Sequence, residues 1–375
     1  MNQNNSVIYS RQKFLLDSFD FNEGKVLEIG PLNEPLITKA NTGGSCEIFY
    51  LDHLSTENLK IKYADTDSVS VDDIVPIDFV CPHGDITGAV SGNSFDCVVA
   101  SHVIEHAPNF LGFLKHIHDI LRPGGTCMLV VPDKRFTFDL NRPITTFGAV
   151  LENFLSEAKS PSIASVYDQS AMATKANGHN LWHGIADAND SCLIASEQIA
   201  WEAAHQVHKN GFYFDVHVNI FTPESFFSIL EKAISYEIVL FELSKFVDTK
   251  VGQIEFMLAL KKPENDVNEL VKSKCLESMP RFKIENLLSP YMPQVKALSE
   301  ALEVSSKTLL EQQNQLGKLS VNLNLEREVK AQVEEQLRIA QRILDRKSVK
   351  FTLRVVNFLV NLSQKTKVKK AKVDS

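Results

Sequence analysis

Two strand-like runs end in residues able to hold a nucleoside: KVLEIG (Lys25–Gly30) closes on Glu28 and Gly30, and EIFYLD (Glu47–Asp52) closes on Asp52. A glycine after one strand, with an acid ending the next about 20 residues later, makes a reader of nucleotide sugars. Gly30 lets the backbone approach a ligand where a Cβ would clash, and Asp52 can accept hydrogen bonds from both ribose hydroxyls. The intervening loop reads G-P-L-N-E-P, without the further glycines that would admit a pyrophosphate at a helix N-terminus, so a dinucleotide is disfavoured.

Histidines supply the second constellation. HVIEH (His102–His106) matches HxxEH, which on a helix sets two imidazoles beside a carboxylate, as in the inverted zinc-peptidase motif. Here the pattern starts at a strand end, and no downstream motif places a third acidic ligand. A polar first helical turn accounts for it, and no metal is assigned. His205, His208, Asp215 and His217 could also gather round a metal, but the polar face of a lid helix explains them more simply. In PDKRFTFDLNRP, Lys134, Arg135 and Arg142 can grip a phosphate or acidic sugar, or else form a solvated loop paired with Asp133 and Asp139.

These groups need a sheet to hold them. Strand-like and helix-like stretches alternate over the first 260 residues, the signature of an α/β fold. Further strands are expected near Asp73–Val80 (an edge, given Pro76), over Phe95–Ser101 and over Thr126–Pro132. A helix is expected over Val103–Leu121, stopping at RPGG. About 80 residues of weak periodicity follow. Thr222 and Pro223 then open a helix, and YEIVLFEL and QIEFMLAL are expected to pair antiparallel. The 375 residues carry 44% apolar and 23% charged side chains, which excludes a mainly disordered, collagenous or multi-span membrane chain. Six scattered cysteines without a CxxC pair fit a reducing cytoplasm, and no secretory signal is recognisable at the start.

KVLEIGPLNEP, YLDHLSTENL, GNSFDCVVASHVIEHAPN, LRPGGTCMLVVPDKRFTFD and DVHVNIFTPESF together resemble class I S-adenosylmethionine-dependent methyltransferases. They look most like the methyltransferase-domain proteins of bacterial surface-polysaccharide biosynthesis. The resemblance implies a Rossmann-like seven-stranded sheet over residues 1–262, with a lid-like insertion at about 136–215, and S-adenosylmethionine as cofactor. Carried over residue by residue, Glu28, Gly30 and Pro31 would lie by the methionine end of the cofactor, Asp52 by its ribose, and Asp85 and Ile86 around the adenine. Ser101 and His102 would face cofactor and substrate from the end of the fourth strand. Only the first glycine of the general ExGxGxG motif is kept. The implied function is methylation of a sugar or glycan intermediate; the alternative is an inactive scaffold for polysaccharide enzymes.

Methyl transfer needs alignment above all, and a hydroxyl acceptor also needs a base. His106, Asp133 and His102, at the ends of the fourth and fifth strands, are the expected bases. Trp182 and Trp201 are either stacking platforms for a sugar or lid core.

Past Lys262 the character changes. A linker is expected over 263–293, and a coiled coil that makes the chain a homo-oligomer over 294–345, with Leu302, Leu309, Leu316, Leu323, Leu337 and Leu344 on one heptad position. Residues 346–375 carry nine Lys or Arg against one acid, leaving −16 on the remainder of a chain whose net charge is −8. That acidic body argues against nucleic acid. The basic amphipathic tail is expected to rest peripherally on an anionic membrane surface at the inner face.

Overall fold

In the computed structural model, which describes residues 11–176, 178–183, 193–265, 268–282, 330–336 and 357, seven strands form one sheet. They are β1 (Lys25–Ile29), β2 (Glu47–Asp52), β3 (Phe79–Val80), β4 (Phe95–Ser101), β5 (Leu121–Pro132), β6 (Glu242–Val247) and β7 (Glu255–Lys261), in the order β3-β2-β1-β4-β5-β7-β6. The first five run parallel, and β7 lies antiparallel to both β5 and β6. This is the Rossmann-like arrangement the resemblance implied.

The central strands are apolar almost without interruption because both faces of a parallel sheet are covered. Side chains alternate between two cores: Leu27, Val98 and Leu129 point to one, and Val26, Cys97, Val99, Met128 and Val130 to the other. The first core is filled by α1 (Phe110–Ile120), whose Phe110, Leu114 and Ile117 are wholly buried at helical spacing, and by α6 (Pro223–Ser235). Each such side chain contributes about 1.5–3 kcal/mol. Thr222 caps α6 in a reciprocal box with Ser225, and Pro223 occupies the first turn, as its sequence foretold.

Three expectations need correction. The helix expected from Val103 starts only at Phe110, because Pro108 lacks an N–H and disfavours helical geometry in the residue before it. Residues 104–106 form a turn instead. RPGG does not separate helix from strand but lies inside β5: Phe95 pairs with Leu121 and Cys97 with Thr126, so residues 122–125 bulge out, with Gly124 at φ +77°. A further helix, α7 (Glu269–Ser278), packs on β6 with Cys275 buried, so the body runs to Phe282 through most of the expected linker.

Among its described residues the insertion holds four helices: α2 (Phe147–Leu155), α3 (Ile163–Met172), α4 (Gly178–His183) and α5 (Glu197–Asn210). α3 and α5 pack on each other through Val166 and Ala200, both wholly buried. Cys46, Cys81, Cys97, Cys127 and Cys275 are buried free thiols. No helix among the described residues is long and apolar enough to cross a membrane. The expected coiled coil and basic tail lie outside the described residues, except for 330–336 and 357, which are helical and exposed.

Candidate functional site

At the carboxyl edge of the parallel strands, Gly30 takes φ +69°, and a Cβ there would come within 2.8 Å of Val103 Cγ2. Glycine is therefore required on both conformational and steric grounds. Buried Pro31 follows. Glu28 turns the loop back on β1: its oxygens accept from Leu36 N (2.8 Å) and Ile37 N (2.9 Å). Burial pushes its carboxyl up to about 7 despite those two donors. Its role is thus to shape the loop that Gly30 opens. Asp52 is buried, with Oδ1 accepting from His53 N at 2.6 Å and lying 2.5 Å from His53 Nδ1. Among the described residues its Oδ2 has no protein partner, which leaves it for a ligand hydroxyl.

Around the expected adenine site the placement is mixed. Asp85 is exposed and caps the short helix Ile86–Ala89 through Gly88 N at 2.9 Å. Ile86 does not suit the role given it: its side chain is in the core and its N–H bonds Gly84 O at 3.0 Å. Ser101 is partly exposed at the end of β4.

The three expected bases differ sharply. Asp133 is fully buried, and Arg135 (Nε, Nη2 and backbone N) and Thr249 Oγ1 bind its carboxylate at 2.6–3.0 Å. It has no access to a substrate. His102, at φ +54°, places Nε2 2.7 Å from Glu255 Oε2, and Arg11 bonds the same carboxylate. Burial alone would raise the Glu255 carboxyl, but His102 and Arg11 outweigh it and hold it at about 2. His102 is therefore tied into an ion cluster. His106 keeps a third of its side chain exposed, with Nδ1 3.0 Å from Asp215 Oδ1, close enough for ion pairing though off the line of a good hydrogen bond. Burial pulls His106 down, but Asp215 and Glu105 raise it above its ordinary value, while His106 and then Lys62 hold Asp215 well below the usual carboxylate range.

The basic trio braces the protein. Lys134 Nζ donates to Leu140 O (2.8 Å), and Arg135 is spent on Asp133, with Glu224 3.7 Å away. Arg142, 3% exposed, bonds Asp139 Oδ1 (2.7 Å), Gln169 Oε1 (3.3 Å) and His217 O (2.8 Å). In place of the expected grip on a substrate, Arg142 joins the start of the insertion to its return, while Lys134 and Arg135 bind within their own loop. Trp182 is lid core, stacked 3.8 Å from Phe136 with Nε1 on Gln253 O, whereas Trp201 is 60% exposed beside His205.

Sequence reading named Asp215 and His217 only as possible companions of His205 and His208, and did not foresee where their segment packs. The returning segment, Asp215–Asn219, docks on the 102–107 turn: Val218 N and Asn219 N donate to Glu105 O, and Asn219 Nδ2 to Ile104 O and Ala107 O. Asp215, His217 and Asn219 alternate, as side chains on one side of an extended segment must, and that spacing in DVHVNIF was the available signal. His217 packs edge-on to His106 with ring centres 4.7 Å apart, and its Nδ1 lies 2.5 Å from Asp139 Oδ2. His205 and His208 sit on α5 and do not join it.

Known proteins resemble the chain as follows. The family described as a methyltransferase domain matches residues 9–233. A carnosine N-methyltransferase of Dictyostelium discoideum is 42% identical over 50 residues, a stretch covering 13% of this chain and 11% of that protein. Among solved structures, one described as an S-adenosylmethionine-dependent methyltransferase from Listeria monocytogenes is 12% identical with a TM-score of 0.36, over 68% of this chain and 100% of that one. The N-methyltransferase NodS from Bradyrhizobium japonicum is 11% identical with a TM-score of 0.33, over 70% and 100%.

Proposed function

This chain belongs to the methyltransferase-domain family, and on that premise we propose that it methylates a hydroxyl of a sugar or glycan intermediate in surface-polysaccharide assembly. S-adenosylmethionine is the cofactor, and the chain's residues fit it: Gly30, at φ +69°, turns the backbone at the strand edge without a side chain to crowd a ligand, and Asp52 keeps an oxygen for a ribose hydroxyl. When bound, the cofactor supplies a methyl group already activated on a sulfonium. What remains for the protein is to align the acceptor and to help its proton leave.

One observation carries the reading. A chain of polar contacts runs from the ribose acid to the histidine left for the acceptor: Asp52 Oδ1 to His53 Nδ1 (2.5 Å), His53 Nε2 to Lys62 Nζ (3.1 Å), Lys62 Nζ to Asp215 Oδ2 (3.2 Å), and Asp215 Oδ1 to His106 Nδ1 (3.0 Å). The tautomer is consistent along it: His53 donates from Nδ1 and accepts the lysine proton at Nε2. Val103, whose side chain abuts Gly30, opens the turn that presents His106. His106 is therefore the residue that activates the acceptor. The sugar is supported by the likeness of KVLEIGP and SHVIEHAPN to the polysaccharide-associated enzymes. A nitrogen acceptor, as in the name of the Dictyostelium relative, is the competing reading.

Label from methyl-labelled S-adenosylmethionine should appear as an O-linked methyl on nucleotide-linked or lipid-linked sugars. Labelling of imidazole dipeptides but of no sugar overturns the sugar assignment. The remaining segments extend the proposal: residues 294–345 associate into a coiled coil, and the basic residues of 346–375 rest on anionic lipid, near lipid-linked acceptors. Liposome sedimentation tests this, since deletion of residues after Asp345 should abolish binding to anionic vesicles.

A further inference from the structure

We propose that Glu105, His106 and His217 form a site for one divalent first-row transition cation, of which zinc is the representative, beside the acceptor. One donor atom from each residue lies within 4.8 Å of the other two. Donors at the usual 2.0–2.2 Å from a tetrahedral zinc stand roughly 3.4 Å apart, so side-chain rotation must draw the three together by about an ångström to close the site. Two imidazoles and one carboxylate are a set such cations favour.

An independent observation points to the same place. The Glu105 carboxylate has no exposed surface, and among the described residues neither oxygen has a hydrogen-bond partner. A buried, unpaired carboxylate is costly, and a bound cation would offset that cost. His102 Nδ1 lies 3.5 Å from Glu105 Oε1, without a hydrogen bond between them, in a ring already held by Glu255. The imidazoles are furnished as ligating histidines are: His217 Nδ1 faces Asp139 and His106 Nδ1 faces Asp215, which leaves Nε2 of each for a cation. Gln169 Oε1 on His217 N (2.6 Å) and Arg142 on His217 O fix the backbone behind that ring. His106 is the partly exposed member, so a coordination position stays open there. With the cation bound, His106 Nε2 is a ligand and no longer a base. An acceptor hydroxyl taking the open position would then be acidified by the cation itself, as metal-bound water is, and His106 would act by holding that cation. This consequence rests on the methyltransferase reading; the site itself does not.

The test uses the full-length chain, stripped by chelator and titrated with zinc by calorimetry and with cobalt(II) by visible absorption. One equivalent should bind, with cobalt bands of a four- or five-coordinate site. Glu105→Gln and His217→Ala should each weaken zinc at least about tenfold and Asp139→Asn about 10–100-fold, the usual effect of losing a partner that orients a ligand. The double variant His205→Ala/His208→Ala, on the exposed face of α5, should bind as the parent does. No uptake by the parent chain, uptake of magnesium alone, or zinc affinity unchanged in Glu105→Gln overturns the site. Should the variants unfold, the parent's cobalt spectrum decides. S-adenosylmethionine titrated into the same stripped protein separates the two readings: binding without zinc uptake removes only the metal site, and no binding of either removes the methyltransferase reading as well.

Discussion

His102 Nε2 stands 2.7 Å from Glu255 Oε2, a contact that ties the end of β4 to β7 across the intervening β5. With Arg11 on the same carboxylate, it holds the Glu255 carboxyl at about 2 in spite of burial. A depressed carboxyl contributes stability that is complete above its unfolded value and is lost as pH falls through its folded one. Roughly 3 kcal/mol should therefore disappear between about pH 4.5 and 2. Denaturant titrations should show this acid limb in the parent chain and a flatter one in Glu255→Gln.

Glu28 works in the opposite direction. Burial raises it to about 7, so the unfolded chain releases this proton from about pH 4.5 while the folded chain keeps it. Stability from this group is complete below the unfolded value and is lost as pH rises through 7. At most about 3 kcal/mol is involved. Comparing pH 5 with pH 8, the parent should lose stability and Glu28→Gln should lose less. Equal losses in both would show that the carboxyl is ionised in the folded protein throughout.

Cofactor affinity should depend on Asp52 and Gly30. Asp52→Ala should weaken S-adenosylmethionine by about 1–3 kcal/mol, the range for removing a charged hydrogen-bond acceptor. Gly30→Val should abolish binding, because its side chain would meet Val103 and its φ of +69° is unfavourable to any branched residue. Calorimetry on the folded variants measures both, and normal affinities in the two would remove the cofactor site from this edge.

Legibility in the sequence followed locality. The bounds of β4 were readable because a parallel strand buried on both faces is a continuous apolar run that becomes polar at the sheet edge. Those of β2, half-buried over most of its length, were readable because of its aromatic and branched residues. Gly30 and Asp52 occupy those edges, so they could be found from order alone. The late start of α1 was also encoded, in Pro108, but the apolar spacing upstream concealed it. The insertion's helices are short, and α3 buries only Val166, which leaves little periodicity to detect. Glu105 and His217 stand more than a hundred residues apart, and no local pattern announces that the return segment lies on the 102–107 turn. For the basic trio the reason is different. Composition shows charge but not its partner, and Asp133 and Asp139 lie close enough in sequence to capture Arg135 and Arg142.

Among the three histidine and aspartate bases first expected, only His106 should govern turnover. His106→Asn should lower kcat about 10²–10⁴-fold with cofactor affinity nearly intact. Asp133→Asn should act on folding instead, because its carboxylate is occupied on both oxygens by Arg135. A variant at Asp133 that folds with parental stability yet loses turnover would reverse this assignment.

Arg142 separates bracing from substrate binding. Its guanidinium lies between Asp139 and the backbone of His217, with almost no exposed surface, so truncation leaves Asp139 buried and short of a partner. Removing one member of a buried pair costs about 3–5 kcal/mol, and Arg142→Ala should lose that much in denaturant titration. Lysine restores the charge but not the fork that reaches Asp139 and His217 O together, so Arg142→Lys should recover only part. Loosening His217 should also lower kcat more than it raises KM, since the acceptor side is disturbed and no substrate contact is removed. The opposite pattern, a higher KM in a chain of parental stability, would restore Arg142 to the role of gripping an acidic sugar and would mean that the guanidinium leaves Asp139 when substrate arrives.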